Sequence, residues 1–141
     1  MSLQDVVLLL GSNLGDSKTN IEEAISLINE KAGSVTDRSV MIYSEPVEFA
    51  SNNIFCNIAI RIRTELSPAC LLMALKDIEQ RMGRAVDSAF TGGYSDRIID
   101  LDIVNFDDTT FWSKKLQLPH IKHLMQRDFS RRVLDDLNKI R

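Results

Sequence analysis

The sequence predicts an α+β fold: a ferredoxin-like βαββαβ sandwich with an extra C-terminal helical segment, in a single domain over residues 1–141. Three observations carry this expectation. Short β-branched, apolar runs alternate along the chain with segments of helical apolar spacing. Two strand-like runs follow one another between the two main helical segments, the mark of a split βαβ unit. A chain of 141 residues, 44% apolar and 26% charged, can bury one sizeable core, and no repeat, low-complexity tract or linker divides it.

The elements follow in order. Val6 to Leu10 is a continuous apolar run closed by Gly11, as in a strand buried on both faces. Asp16 and Ser17 are candidate N-caps for a helix whose stripe is Ile21, Ala24, Ile25 and Ile28, with Gly33 as its stop. Ser34 to Tyr43 reads as one strand, broken at Glu45-Pro46. Phe55 to Thr64 sets Ile58, Ile60 and Ile62 against Asn57, Arg61 and Arg63, the period of a half-buried strand. Ser67-Pro68 supplies an N-cap and a first-turn proline. Leu71, Leu75, Ile78 and Met82 form the stripe of that helix, and Gly83 ends it. Residues 84–96 read as a loop and 97–106 as a strand. Beyond them lie a Leu-Gln-Leu-Pro-His turn and an amphipathic helix after Asp128.

Bulk properties exclude several classes. A formal net charge of −3 gives no footprint for nucleic acid or an anionic membrane surface. The apolar runs are too short to cross a bilayer, and the first has no basic segment before it, so it reads as a strand and not as a signal peptide. Cys56 and Cys70 lack CxxC or Cys/His spacing and read as reduced, buried thiols of a cytoplasmic protein.

The strand RIIDLDIVNF (97–106) poses the functional question, because Asp is depleted in strands and rarely buried without a partner. Asp100 and Asp102 at i and i+2 share a face, about 7 Å apart at 3.3 Å rise per residue. That arrangement suits one or two hard cations, and Mg²⁺ takes one or two carboxylates plus water and phosphate oxygens. Taken alone, the pair also fits a solvated polar face, or a structural salt bridge of Asp100 with Arg97. The turn Gly11 to Lys18 lies where a helix start could meet a phosphate, yet it matches neither GxxxxGK[ST] nor GxGxxG. A turn capped by Asp16 explains it as well.

The ordered strings LLLGSNLGD, YSEPV, FCNIAI, IEQRMGR, RIIDLDIV, LPH and QRDF, from about residue 6 to residue 130, resemble the 6-hydroxymethyl-7,8-dihydropterin pyrophosphokinase family. The resemblance implies a ferredoxin-like enzyme of folate biosynthesis that transfers pyrophosphate from ATP to a pterin alcohol. It implies that Asp100 and Asp102 hold two Mg²⁺ ions on the ATP phosphates and, with Arg97 and Arg127, form the catalytic set. Phe55 and Phe129 would be the aromatic walls around the pterin, and Asn57 the amide reading its polar edge. Glu45, Pro46 and Val47 would line the pterin pocket, with Tyr94 as a covering aromatic. Arg97, His120 and Arg127 would grip the triphosphate, while Glu79, Arg84, Lys115 and Gln117 would make further nucleotide contacts.

The chain departs from the family pattern in places. Tyr94-Ser95-Asp96-Arg97 stands where the family commonly has Trp-Gly-Pro-Arg, and the 84–96 loop carries only Arg84 as a cation at its start. The stretch after Phe129 is short for the family. Loops 11–16, 44–54 and 84–96 are the expected moving covers. The expected state is a cytoplasmic monomer acting on small molecules, without nucleic acid or membrane partners. The alternatives are an inactive relative, or a ferredoxin-like module that binds pterin or nucleotide without transfer.

Overall fold

The computed structural model describes residues 3–44, 55–83, 98–107, 111–112, 116–118 and 128–139. Its elements are β1 (Gln4–Ser12), α1 (Ser17–Lys31), β2 (Ser34–Arg38), β3 (Ile42–Ser44), β4 (Phe55–Thr64), α2 (Pro68–Arg81), β5 (Asp100–Phe106), β6 (Phe111–Trp112), β7 (Gln117–Leu118) and α3 (Asp128–Asn138). The α+β class is as the sequence predicts. The main sheet runs β2-β4-β1-β5, with β3 also on β4, and every pairing is antiparallel. A second hairpin, β6-β7, occupies part of the expected Leu-Gln-Leu turn region.

Both main helices start where side chains can satisfy their first N–H groups. Asp16 accepts from Thr19 N at 3.2 Å, and Ser67 accepts from Cys70 N at 3.2 Å with Pro68 beside it. Their stripes, Ile21, Ala24, Ile25 and Ile28 on α1 and Leu71, Leu75 and Ile78 on α2, are buried against Val6, Leu8, Leu10, Ile58, Ile60, Ile62, Leu101 and Ile103. Gly33 acts by close approach: a Cβ there would lie 2.5 Å from the Arg63 carbonyl oxygen. Thr64 Oγ1 donates to Ala32 O at 2.6 Å, tying the same helix end to β4. Gly83, at φ 110°, is the left-handed residue after α2.

Three expectations need correction. The strand expected over 34–43 is two strands. Ser39 Oγ accepts the Ala59 N–H at 2.9 Å and donates to Val40 O at 2.8 Å, so a hydroxyl replaces a ladder carbonyl and the strand breaks. Strand β4 is buried on both faces, not half-buried, because α3 lies on the side that carries Asn57, Ala59 and Arg61. Val133, Leu134 and Leu137 of α3 cluster there with Leu9, Ala59 and Val104. Cys56 is buried, but Cys70 is exposed, since it sits off the apolar stripe of α2. No helix among the described residues is long and apolar enough to cross a membrane.

Candidate active site

The site grows from the register of three strands. Gly11 of β1 pairs with Asn57 of β4 on one side and Asp100 of β5 on the other. Two residues earlier in β1, Leu9 pairs with Ala59 and Asp102. Partners on one rung share a face, so both aspartates, Gly11 and Asn57 project to the face that bears α3. The aspartates are half-buried and Asn57 is 3% exposed. A bulge in β5, where Ile103 pairs with Leu8 and Asn105 with Val7, leaves Val104 extra and buries it under α3.

Gly11 is the floor of this face. A Cβ placed on it would sit 3.0 Å from Asn57 Oδ1 and 3.6 Å from Phe55 Cδ1. The amide oxygen and the phenyl edge therefore both approach the bare backbone between Asn57 and Asp100. By sequence alone Gly11 reads as a strand end. The available signal was a glycine inside a strand, which marks a close approach by something else.

The turn after β1, one of the expected moving covers, is tied to α1 by side-chain hydrogen bonds. Asn20 Nδ2 donates to Leu14 O at 2.7 Å and to Ser12 Oγ at 3.2 Å, and Ser12 and Asn13 are buried. Gly15 takes φ 68° to close it. The backbone N–H of Thr19 beside Asp16 holds that carboxyl below its ordinary range. On the opposite face, burial pushes the Cys56 thiol up, with its cross-strand neighbour Tyr43 beside it.

Glu79, an expected nucleotide contact, packs against the aspartate strand. It is 3% exposed, and its Oε2 accepts the backbone N–H of Leu101 at 2.8 Å. Leu101 is the residue between the two aspartates, on the strand that ends the sheet order among the described residues. Glu79 thus holds the aspartate strand from the side of α2.

The structure brings together Asp100, Asp102, Asn57 and Phe55, and sets Glu79 behind them. Gln117 falls in β7, and Phe129 in the first turn of α3. Glu45, Pro46, Val47, Arg84, Tyr94, Arg97, Lys115, His120 and Arg127 lie outside the described residues.

The donor set fits a hard cation. Asp100 and Asp102 offer only carboxylate oxygens on one face, and no cluster of three or more His, Cys, Asp or Glu suited to a metal occurs among the described residues. Mg²⁺ suits such a set, since it fills its shell with water and phosphate oxygens.

The model of the 7,8-dihydro-6-hydroxymethylpterin-pyrophosphokinase (HPPK) family matches residues 7–139. The chain belongs to this family. A Porphyromonas gingivalis relative named 2-amino-4-hydroxy-6-hydroxymethyldihydropteridine pyrophosphokinase is 37% identical over 94% of this chain and 89% of its own. The Arabidopsis thaliana folate synthesis bifunctional protein is 38% identical over 96% of this chain, which spans 27% of that relative. For the Schizosaccharomyces pombe folic acid synthesis protein the span is 17%. This HPPK chain thus corresponds to about a quarter or less of those longer relatives. A solved Plasmodium falciparum HPPK-DHPS shares the fold, with a TM-score of 0.70 at 16% identity, over 96% of this chain and 38% of that one.

Proposed function

We propose that this HPPK-family chain transfers pyrophosphate from ATP to 6-hydroxymethyl-7,8-dihydropterin and releases AMP, as a step of folate biosynthesis. The observation that carries the reading is the rung Asp100–Gly11–Asn57, with Asp102 on the same face. It sets an amide suited to a heterocycle edge and a carboxylate pair suited to Mg²⁺ on either side of a bare glycine. The strand order β2-β4-β1-β5, with α1 and α2 on one face, supports the ferredoxin-like assignment.

In this reading the pterin lies on the Gly11 floor. Phe55 and Phe129 stack on its two faces, about 0.5–1.5 kcal/mol for each ring pair beyond area burial. Asn57 both donates and accepts at the ring edge, as a side-chain amide can for an amino group beside a carbonyl. Glu45, Pro46, Val47 and Tyr94 complete the pocket. Asp100 and Asp102 would hold Mg²⁺, two ions with ATP bound, and the metal would supply neutralisation of triphosphate charge.

The pterin hydroxymethyl oxygen attacks the β-phosphorus in line. The bond from that phosphorus to the bridging α–β oxygen breaks, the electron pair leaves with AMP, and the alcohol proton passes to solvent. Arg97 and Arg127 stabilise the charge that develops, as planar forks on phosphate oxygens. His120 binds phosphate and does not act as base, and Arg84, Lys115 and Gln117 hold the nucleotide. Glu79 acts through the strand it fixes. Loops 44–54 and 84–96 exclude water as they close. The chain works as a cytoplasmic monomer on small molecules.

The test is AMP release from ATP and Mg²⁺, with and without the pterin, on the wild type and Asp102→Asn. Pterin-dependent release that collapses in the variant supports the reading. Pterin or nucleotide binding without AMP release would replace it with an inactive relative.

A further inference from the structure

Helix α3 is fastened to the sheet at two polar points near its end. Asp136 Oδ2 accepts the backbone N–H of Val40 at 2.8 Å. Asn138 Oδ1 accepts from Arg61 Nη2 at 3.4 Å, while Arg61 Nη1 pairs with Asp37 Oδ2 at 3.0 Å. Arg61 is 8% exposed, so this guanidinium is spent inside the structure, on β2 and α3 together. Val40 lies in the break between β2 and β3, where Ser39 has already interrupted the ladder. Asp136 thus holds a backbone amide at the entry to β3.

Both ends of this latch lead to the pterin pocket proposed above. Strand β3 ends at Ser44 and runs directly into Glu45-Pro46-Val47. Helix α3 carries Phe129 in its first turn. The spans agree: Phe129 precedes Asn138 by nine residues, about 13–14 Å of helix, and Asn57 precedes Arg61 by four, about 13 Å of strand. Helix α3 packs chiefly on β4, and Val133 and Leu134, one turn before Leu137, cluster with Ala59 and Leu9 between those levels. The helix therefore returns from the level of Arg61 toward that of Asn57.

We propose that Asp136, with the Asn138–Arg61 contact, is a positioning device for the pterin: it locks α3 to the start of β3, so that the chain bearing Phe129 and the chain entering 45–47 keep a fixed separation. This inference rests on the pterin-site reading. It assigns residues that touch neither substrate a share in its affinity.

The test compares Asp136→Ala with Asp136→Asn, whose amide oxygen can accept the same N–H. Asp136→Ala is expected to raise the KM for the pterin about fivefold, the size one hydrogen bond can transmit, with the KM for ATP within about twofold. Asp136→Asn is expected to restore the pterin KM. An unchanged pterin KM, an equal rise for both substrates, or failure of the Asn variant to rescue would overturn the proposal. Amide exchange provides an arm independent of turnover. Asp136→Ala should speed exchange in both β3 and the hydrogen-bonded amides of α3, and acceleration confined to Val40 would overturn the coupling. A wild type without pterin-dependent AMP release would refute the activity, while the exchange arm still decides the latch.

Discussion

The Glu79 carboxylate accepts the backbone N–H of Leu101 at 2.8 Å, between Asp100 and Asp102. Among the described residues β5 ends the strand order, and a buried side chain from α2 serves one of its N–H groups. Removing it leaves a buried donor unpaired, at a cost of about 1–3 kcal/mol. Glu79→Ala is expected to lower the Tm and weaken Mg²⁺-dependent nucleotide binding together. Glu79→Gln keeps an acceptor and should lose much less of both. Thermal unfolding and calorimetry with MgATP measure the difference.

Asp102→Asn separates metal chemistry from folding. The side chain is half-buried on a face, not in the core, so the variant should keep its Tm within a few degrees. Its pterin-dependent AMP release should fall by about 10²–10³, the scale of losing one main electrostatic group at a reacting centre. A fall of less than about tenfold would sink the assignment of Asp102 to the metal site.

Gly11→Ala probes the floor. The new methyl would stand 3.0 Å from Asn57 Oδ1, so the amide must move. Overpacking of this kind costs about 1–3 kcal/mol. Pterin affinity should drop more than ATP affinity, as titration with each ligand alone would show.

Asp16 gives α1 an acid-sensitive end. Its carboxyl is held below the ordinary 3.8 by the Thr19 N–H, so the folded state favours the ionised form. That contribution is present above the unfolded value and is lost as pH falls through the lowered native one. Asp16→Asn should still cap the helix yet remove this part of the acid dependence, read from Tm between pH 5 and pH 2.5 on both proteins (about the range that brackets a carboxyl).

The two thiols should separate under alkylation. Cys70 is exposed and should react with iodoacetamide in the native protein, whereas Cys56 should react only on unfolding. Burial raises the Cys56 pKa above its ordinary 9.0. Its stabilising contribution is complete below the unfolded value and is lost as pH rises through the raised native one.

Local chemistry made much of this legible from sequence. Helix starts at Asp16 and Ser67 depend on neighbours three residues away, and the stripes of α1 and α2 depend on helical period alone. The aspartate pair was readable for the same reason, since strand alternation places i and i+2 on one face whatever surrounds them. The resemblance to the HPPK family rested on the order of short strings, which needs no coordinates, and the family model over residues 7–139 bears it out.

Tertiary structure decided the rest, because it depends on which segments meet. Pairing register alone put Gly11 between Asp100 and Asn57 and turned a strand-ending glycine into a floor. The approach of α2 to β5 made Glu79 the support of Leu101, a contact that sequence spacing does not reveal. The packing of α3 buried Asn57 and Arg61, which alternation had assigned to solvent, and joined Asp136 to Val40 across 96 residues of chain. A sequence specifies each side chain's reach and polarity, while the groups within that reach are set by the fold.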